Sequence, residues 1–263
     1  MKIQIGACTA LPNAPIMNEL GGKHIESGFA MYANMSEEQF VKEREILRAT
    51  PVTVVSMNSM LPGDSVLYGT EEQSQKVCDF VRRGMERAAS LGCKSVCMGS
   101  GTARNIPEGM TRDEAADRLA SLIARFCAIA DEYGIKVAIE PLRAEETNFI
   151  HTVEDAYDII RRVPACKNLG VNPDMYHMHA GGEDFSNLVK YKDYVFNVHI
   201  AEPGTRVYPK PGSAENEALY VEFLSALKEA GYTGNVSVEA HTKDFKGDAT
   251  VALSYLNELA AKI

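Results

Sequence analysis

The sequence predicts an α/β chain folded as a single (β/α)8 TIM barrel over residues 1–263. Three observations carry this expectation. Eight short apolar runs alternate with longer amphipathic stretches from one end to the other, several of those stretches finish on a glycine just ahead of the next run, and no Pro/Gly/Ser-rich linker or shift of composition divides the chain. Strict β-α alternation calls for a parallel sheet covered by helices, and an α/β barrel accommodates ~250 residues in one unit. A doubly wound sheet fits less well, because "GACTALPNAPIMNELGG" after the first run holds no GxGxxG turn.

The runs read as strands are KIQIGA (2–7), KHIES (23–27), VTVVSMN (52–58), KSVCMGS (94–100), KVAIEP (136–141), NLGVNPD (168–174), YVFNVHI (194–200) and NVSVEA (235–240). Helices are expected over 36–48, 71–91, 111–133, 152–163, 182–193, 215–230 and 248–261. In 71–91, Val77, Phe80, Val81, Met85, Ala88 and Leu91 form one apolar face at steps of three and four, and 111–133 opens on TRDE, a capping-box pattern. Gly92, Gly134 and Gly231 stand where helices turn back into strands. The first unit is the irregular one, with room for only a short helix over 10–22.

Composition bounds the function. Hydrophobic residues at 45% and charged residues at 24% describe a globular chain with a large core. A net charge of −9 repels nucleic-acid backbones, so a small neutral substrate is expected and no nucleic acid. Six cysteines without a CxxC form no disulfide framework; Cys93 and Cys97 in CKSVCMGS read as core or pocket-lining thiols. There is no secretory h-region at the N-terminus and no run of ~18 apolar residues to span a membrane, which leads to a cytoplasmic expectation.

In such a barrel the reactive groups lie where strands end. The polar residues that close consecutive apolar runs are Glu140, Asp174, His199 and Glu239. Taken singly, a strand-end Asp or Glu is more often a helix cap or a solvated charge; four on successive strands have no reason to be caps. Buried carboxylates without partners cost several kcal/mol each, and a shared divalent cation offsets that cost. Three oxygen donors and one nitrogen suit Mn²⁺, Mg²⁺ or Co²⁺, and do not make a thiolate zinc site.

The stretches AIEPLRAEETN, NPDMYHM, VHIAEPGTR and VSVEAH, supported upstream by GGKHIES and GSGTARNIPEG, resemble the xylose isomerase-like TIM-barrel superfamily, and in particular its sugar phosphate isomerase/epimerase branch with the ketose 3-epimerases. The resemblance implies that Glu140, Asp174, His199 and Glu239 bind one divalent metal ion, usually Mn²⁺, with Mg²⁺, Co²⁺ or Zn²⁺ as alternatives. It also implies that Glu146, His177 and Arg206 bind substrate. Arg206 stands seven residues after His199, one more than the ketose epimerases have.

The activity so implied is that of a metal-dependent sugar isomerase or epimerase on a ketose or related carbonyl sugar. An α-proton is abstracted, the enediolate is metal-stabilised, and Glu140 and Glu239 act as the acid-base pair. Lying three strands apart in a ring of eight, they could flank a sugar on both faces. His177 would share the enediolate charge, and Tyr176 and Tyr208 could supply an apolar wall. His179 and His241 read as structural or as neighbours of the ligands. Of His24 and Glu26, alternation allows at most one to face the pocket, with Glu26 favoured, and Arg104 is evenly balanced between a pocket or phosphate grip and a plain turn. Partners reduce to a small sugar, with a homo-oligomer, dimer or tetramer, compatible with the fold. Competing readings are a lyase of inosose dehydratase or β-elimination type, an endonuclease IV-like repair enzyme, and a non-enzymatic sugar-binding module.

Overall fold

The computed structural model describes residues 3–263, so Lys2, where the first predicted strand begins, lies outside the described residues. All eight strands form: β1 (Gln4–Cys8), β2 (His24–Gly28), β3 (Thr53–Asn58), β4 (Ser95–Met98), β5 (Lys136–Ile139), β6 (Leu169–Val171), β7 (Val198–Ile200) and β8 (Asn235–Val238). Every ladder is parallel and the order is β6-β5-β4-β3-β2-β1-β8-β7. The ends of that order meet: parallel bridges join Val171 to Val195 and Asp174 to His199, with hydrogen bonds from Phe196 N to Val171 O (3.0 Å) and from His199 N to Pro173 O (2.9 Å). The seam is thin because Pro173 has no N–H to donate to a ladder. The fold is the expected TIM barrel.

The helices around the ring are α1 (Ala14–Glu19), α2 (Phe29–Asn34), α3 (Glu37–Arg48), α4 (Glu71–Ser90), α5 (Arg112–Asp131), α6 (Val153–Ile160), α7 (Met175–Ala180), α8 (Ser186–Lys190), α9 (Ala214–Glu229) and α10 (Phe245–Lys262). Thr70 and Thr111 close capping boxes on α4 and α5 with Gln73 and Glu114. The helix expected over 182–193 shrinks to α8 and a 3-10 turn. Gly182 takes φ +66° and the Asp184 carboxylate accepts from Ser186 N (2.7 Å), which delays the helix start. α6 ends short of Val163, the residue before Pro164, whose ring disfavours helical backbone there. α2 and α7 were not expected; both are six-residue segments, α2 directly after β2 and α7 with three residues between it and β6.

Period two sorts the strands. Val96, Met98, Val137, Ile139, Val198, Ile200, Val236 and Val238 join the apolar layer between ring and helices. The positions between them are small or polar: Cys97, Ala138, Asn197, His199 and Ser237, with Gly6, Glu26, Gly170 and Asn172 on the other strands. Barrel interiors are usually filled by branched aliphatic side chains; this one is polar beneath its mouth. The expectation that only one of His24 and Glu26 turns inward is corrected. Two apart on one strand, they share a face: His24 Nε2 lies 3.2 Å from Ser237 Oγ and Glu26 bonds His199. Gly6 makes this possible, since a Cβ there would fall 2.3 Å from His24 Nε2.

Candidate active site

Four side chains converge at the C-terminal mouth of the ring. One ligand atom from each of Glu140, Asp174, His199 and Glu239 lies within 4.8 Å of the others. Each owes its place to its strand: Pro141 ends β5 directly after Glu140, whose N–H still bonds Met98 O (3.2 Å), and Glu239 N bonds Ile200 O (3.1 Å). His199 Nδ1 is 3.0 Å from Glu140 Oε1 and 3.4 Å from Glu239 Oε2. Asp174 caps α7 with Oδ1, which accepts from Tyr176 N (2.8 Å), while its buried Oδ2 has no hydrogen-bond partner.

The charges act on one another as the geometry requires. Burial, then the carboxylates of Glu140 and Glu239, push Asp174 up to about 7. Burial works against ionisation of Glu239 as well, but His199 and Arg206 beside it overcome this and hold it well below the carboxylate range. Burial also opposes the imidazolium of His199, and Glu239 and Glu26 reverse that, raising it well above an ordinary histidine. His177 is driven down to about 3 by burial and by Arg206, so it is a neutral imidazole. Its Nε2 is unpartnered, 3.7 Å from Asp174 Oδ2. Asp174 Oδ2 and His177 Nε2, two buried polar atoms without hydrogen-bond partners at the cluster of three carboxylates and the His199 imidazole, fit a divalent cation with a polar substrate beside it.

The rim brings in the other expected residues. Arg206 Nη2 bonds Glu239 Oε2 (2.7 Å) and lies 3.7 Å from Asp174 Oδ2, while its Nη1 is 3.5 Å from Glu146 Oε1. Arg206 takes φ +54°, a conformation that costs a non-glycine residue ~1–3 kcal/mol. Its backbone is held there by bonds to Glu202 O (3.0 Å) and from His241 N (2.8 Å). Glu146 is anchored by Arg143 Nε (2.8 Å). Tyr176 supports this pair of guanidiniums, each 5.2 Å from its ring centroid. Tyr208 turns instead onto Phe245 of α10, and His179 and His241 are exposed.

Arg104 is no phosphate grip. It is fully buried and donates to the carbonyls of Met98 (3.3 Å), Glu140 (2.7 Å), Phe149 (3.1 Å) and Ile150 (3.1 Å), pinning the ends of β4 and β5. Cys97 lines the pocket, its thiol donating to Glu140 Oε2 at 3.3 Å. The Cys93 thiol donates to Ser95 O (2.9 Å) and takes no part in the cluster.

A match to the family model described as "Xylose isomerase-like TIM barrel" runs over residues 16–259. The chain belongs to that family. Among its relatives it is 29% identical to the inosose isomerase of Bacillus velezensis, over 93% of this chain and 90% of that protein. It is 28% identical to the ketose 3-epimerase of Arthrobacter globiformis, over 62% of this chain and 54% of that protein. The crystal structure of the 3-keto-D-glucoside 4-epimerase YcjR from E. coli superposes with a TM-score of 0.80 at 20% identity, covering 98% of this chain and 100% of that one, a likeness of fold. Among the described residues, no helix is long and apolar enough to cross a membrane.

Sequence reasoning missed part of this family member's site. Asn58 donates to Glu239 Oε1; it closes the third strand and answers to the same rule that found the quartet. Asn172 and Asn197 stand two residues before Asp174 and His199, which on a strand means the same face one layer down.

Proposed function

We propose that the chain is a divalent-metal-dependent sugar isomerase or epimerase, Mn²⁺ being the preferred ion, acting on a ketose or a related polyhydroxy ketone by α-proton transfer. The observation that carries this is the convergence of Glu140, Asp174, His199 and Glu239, with Asp174 Oδ2 left without a hydrogen-bond partner. The names of the relatives, isomerases and epimerases of carbonyl sugars, support the same class.

Glu140, Asp174, His199 and Glu239 would hold the ion. When bound, it supplies Lewis-acid polarisation of the substrate carbonyl and charge for the enediolate. Everything else falls to the chain. One of Glu140 and Glu239 takes the proton from the carbon beside the carbonyl, and the other returns a proton on the opposite face. Neutral His177 donates to the developing oxyanion, a role for which an imidazole held near neutrality is suited. Arg206 and Glu146 orient hydroxyls at the rim, and the Arg143–Glu146 ion pair keeps that acceptor in place.

The test is turnover of a panel of ketoses and inososes in D₂O with Mn²⁺ present. Product NMR should show one exchanged carbon in an otherwise intact sugar. Glu140→Gln and Glu239→Gln should each lower kcat by on the order of 10²–10⁴-fold, the contribution expected of a general acid or base. Loss of water or of a leaving group from the substrate would transfer the chain to the lyases, and full turnover by both variants would remove the acid-base pair altogether.

A further inference from the structure

Beneath the four converging groups lies a fifth carboxylate for which the proton transfer has no use. Glu26 is 0% exposed and comes from β2, the strand opposite the quartet's β5–β8 arc. Its Oε2 is 3.0 Å from His199 Nε2, the ring nitrogen that points away from the quartet, while Nδ1 faces Glu140 and Glu239. Both Glu26 oxygens accept from Asn197 Nδ2 at 3.0 Å, and Asn197 Nδ2 also reaches Asn172 Oδ1 at 2.7 Å. Asn172 in turn donates to Glu140 Oε1 (3.3 Å). The carboxylate therefore cannot swing, and the imidazole it holds cannot flip without abandoning it.

A buried carboxylate costs several kcal/mol unless it is matched; Glu26 is matched by His199, by Asn197, which leads through Asn172 to Glu140, and by the Ser237 hydroxyl. We infer that Glu26 is a positioning residue for the metal centre: it takes the Nε2–H of His199, fixes the ring, and so presents the Nδ1 lone pair as the fourth ligand. The inference rests on the proposed metal-dependent reading of the quartet. Imidazole ligands are in general oriented this way by a partner on their other nitrogen, and loss of the partner weakens metal affinity ~10–100-fold. Here the partner is supplied from the second strand of the ring, and Asn172 and Asn197 tie it to a second ligand.

The experiment compares wild type with Glu26→Gln and Glu26→Asp by calorimetric titration of the chelator-treated proteins with Mn²⁺. Glu183→Gln serves as a control for altering a shielded carboxylate elsewhere, since Glu183 bonds Val153 N and Asn187. Glu26→Gln should bind Mn²⁺ ~10–100-fold more weakly with its unfolding midpoint near that of the wild type. Glu26→Asp, which keeps the charge on a shorter arm, should fall between, and Glu183→Gln should bind as the wild type does. In ¹⁵N-histidine-labelled wild type loaded with diamagnetic Zn²⁺, His199 should carry its proton on Nε2 and the metal on Nδ1. Glu26→Gln binding within twofold of wild type, or a metal found on Nε2, overturns the role of Glu26. Wild-type protein that binds neither ion overturns the metal reading itself, and it does so before any variant is compared.

Discussion

Asp174 joins two uses of one side chain. Alone at a strand end it would pass for a helix cap, and Oδ1 is one; Oδ2, on the same carbon, faces the quartet. Its carboxyl is held up to about 7 by burial and by Glu140 and Glu239, against 3.8 for a free side chain. Between those values the folded chain binds a proton that the unfolded chain has released, so the stability contributed by this group is full below 3.8 and is lost as pH rises to about 7. Chelator-treated wild type should therefore show a stability decline over that window that Asp174→Asn lacks, read by urea denaturation at several pH values. The same proton must leave before a cation can bind, so Mn²⁺ affinity should climb with pH up to about 7. The quartet was legible in the sequence because each member interrupts an apolar run where a barrel exposes its strand ends. Glu26 was expected to face inward, but its hold on His199 and the part of the two asparagines were not legible, because a polar residue inside a strand gives no sign of its partner.

At the scale of elements, the turn after β4 illustrates what a spacing pattern conceals. Small residues beside Arg104 suggested close approach to a ligand, yet the close approach is internal. A Cβ on Gly99 would sit 2.5 Å from Glu140 Oε2, and the guanidinium of Arg104 fastens Ile150, at φ +66°, to the end of β5. Gly99→Ala should push the end of the Glu140 carboxylate out of place, so kcat should fall on the order of 10²-fold, read against the unfolding midpoint of the same variant. Arg104→Met strips four carbonyls of a charged donor at once, and should cost about 3 kcal/mol or more in denaturant unfolding. The strands and the helices α3, α4, α5, α9 and α10 were read because burial imposes their period. The short α2 and α7 escaped because a helix of six residues is too brief to show one.

For the whole molecule, the closed order of parallel strands was predictable from alternation and length, and the polar character of its interior was not. Since the ring is one continuous sheet with a shared apolar layer, unfolding should be a single cooperative transition, with far-ultraviolet dichroism and tyrosine fluorescence coinciding; two separate transitions would divide the chain into more than one domain. The seam between β6 and β7 adds something further. Asp174 stands on one bank of it and His199 on the other, where the backbone offers only isolated bridges. An ion shared by the two would act as a clasp on the weakest joint of the barrel. Amide hydrogens on both banks should then exchange early in chelator and be slowed by Mn²⁺ far more than those of β3 or β4, so the loss of the ion would be felt first as a loosening of the wall and only afterwards as a loss of chemistry.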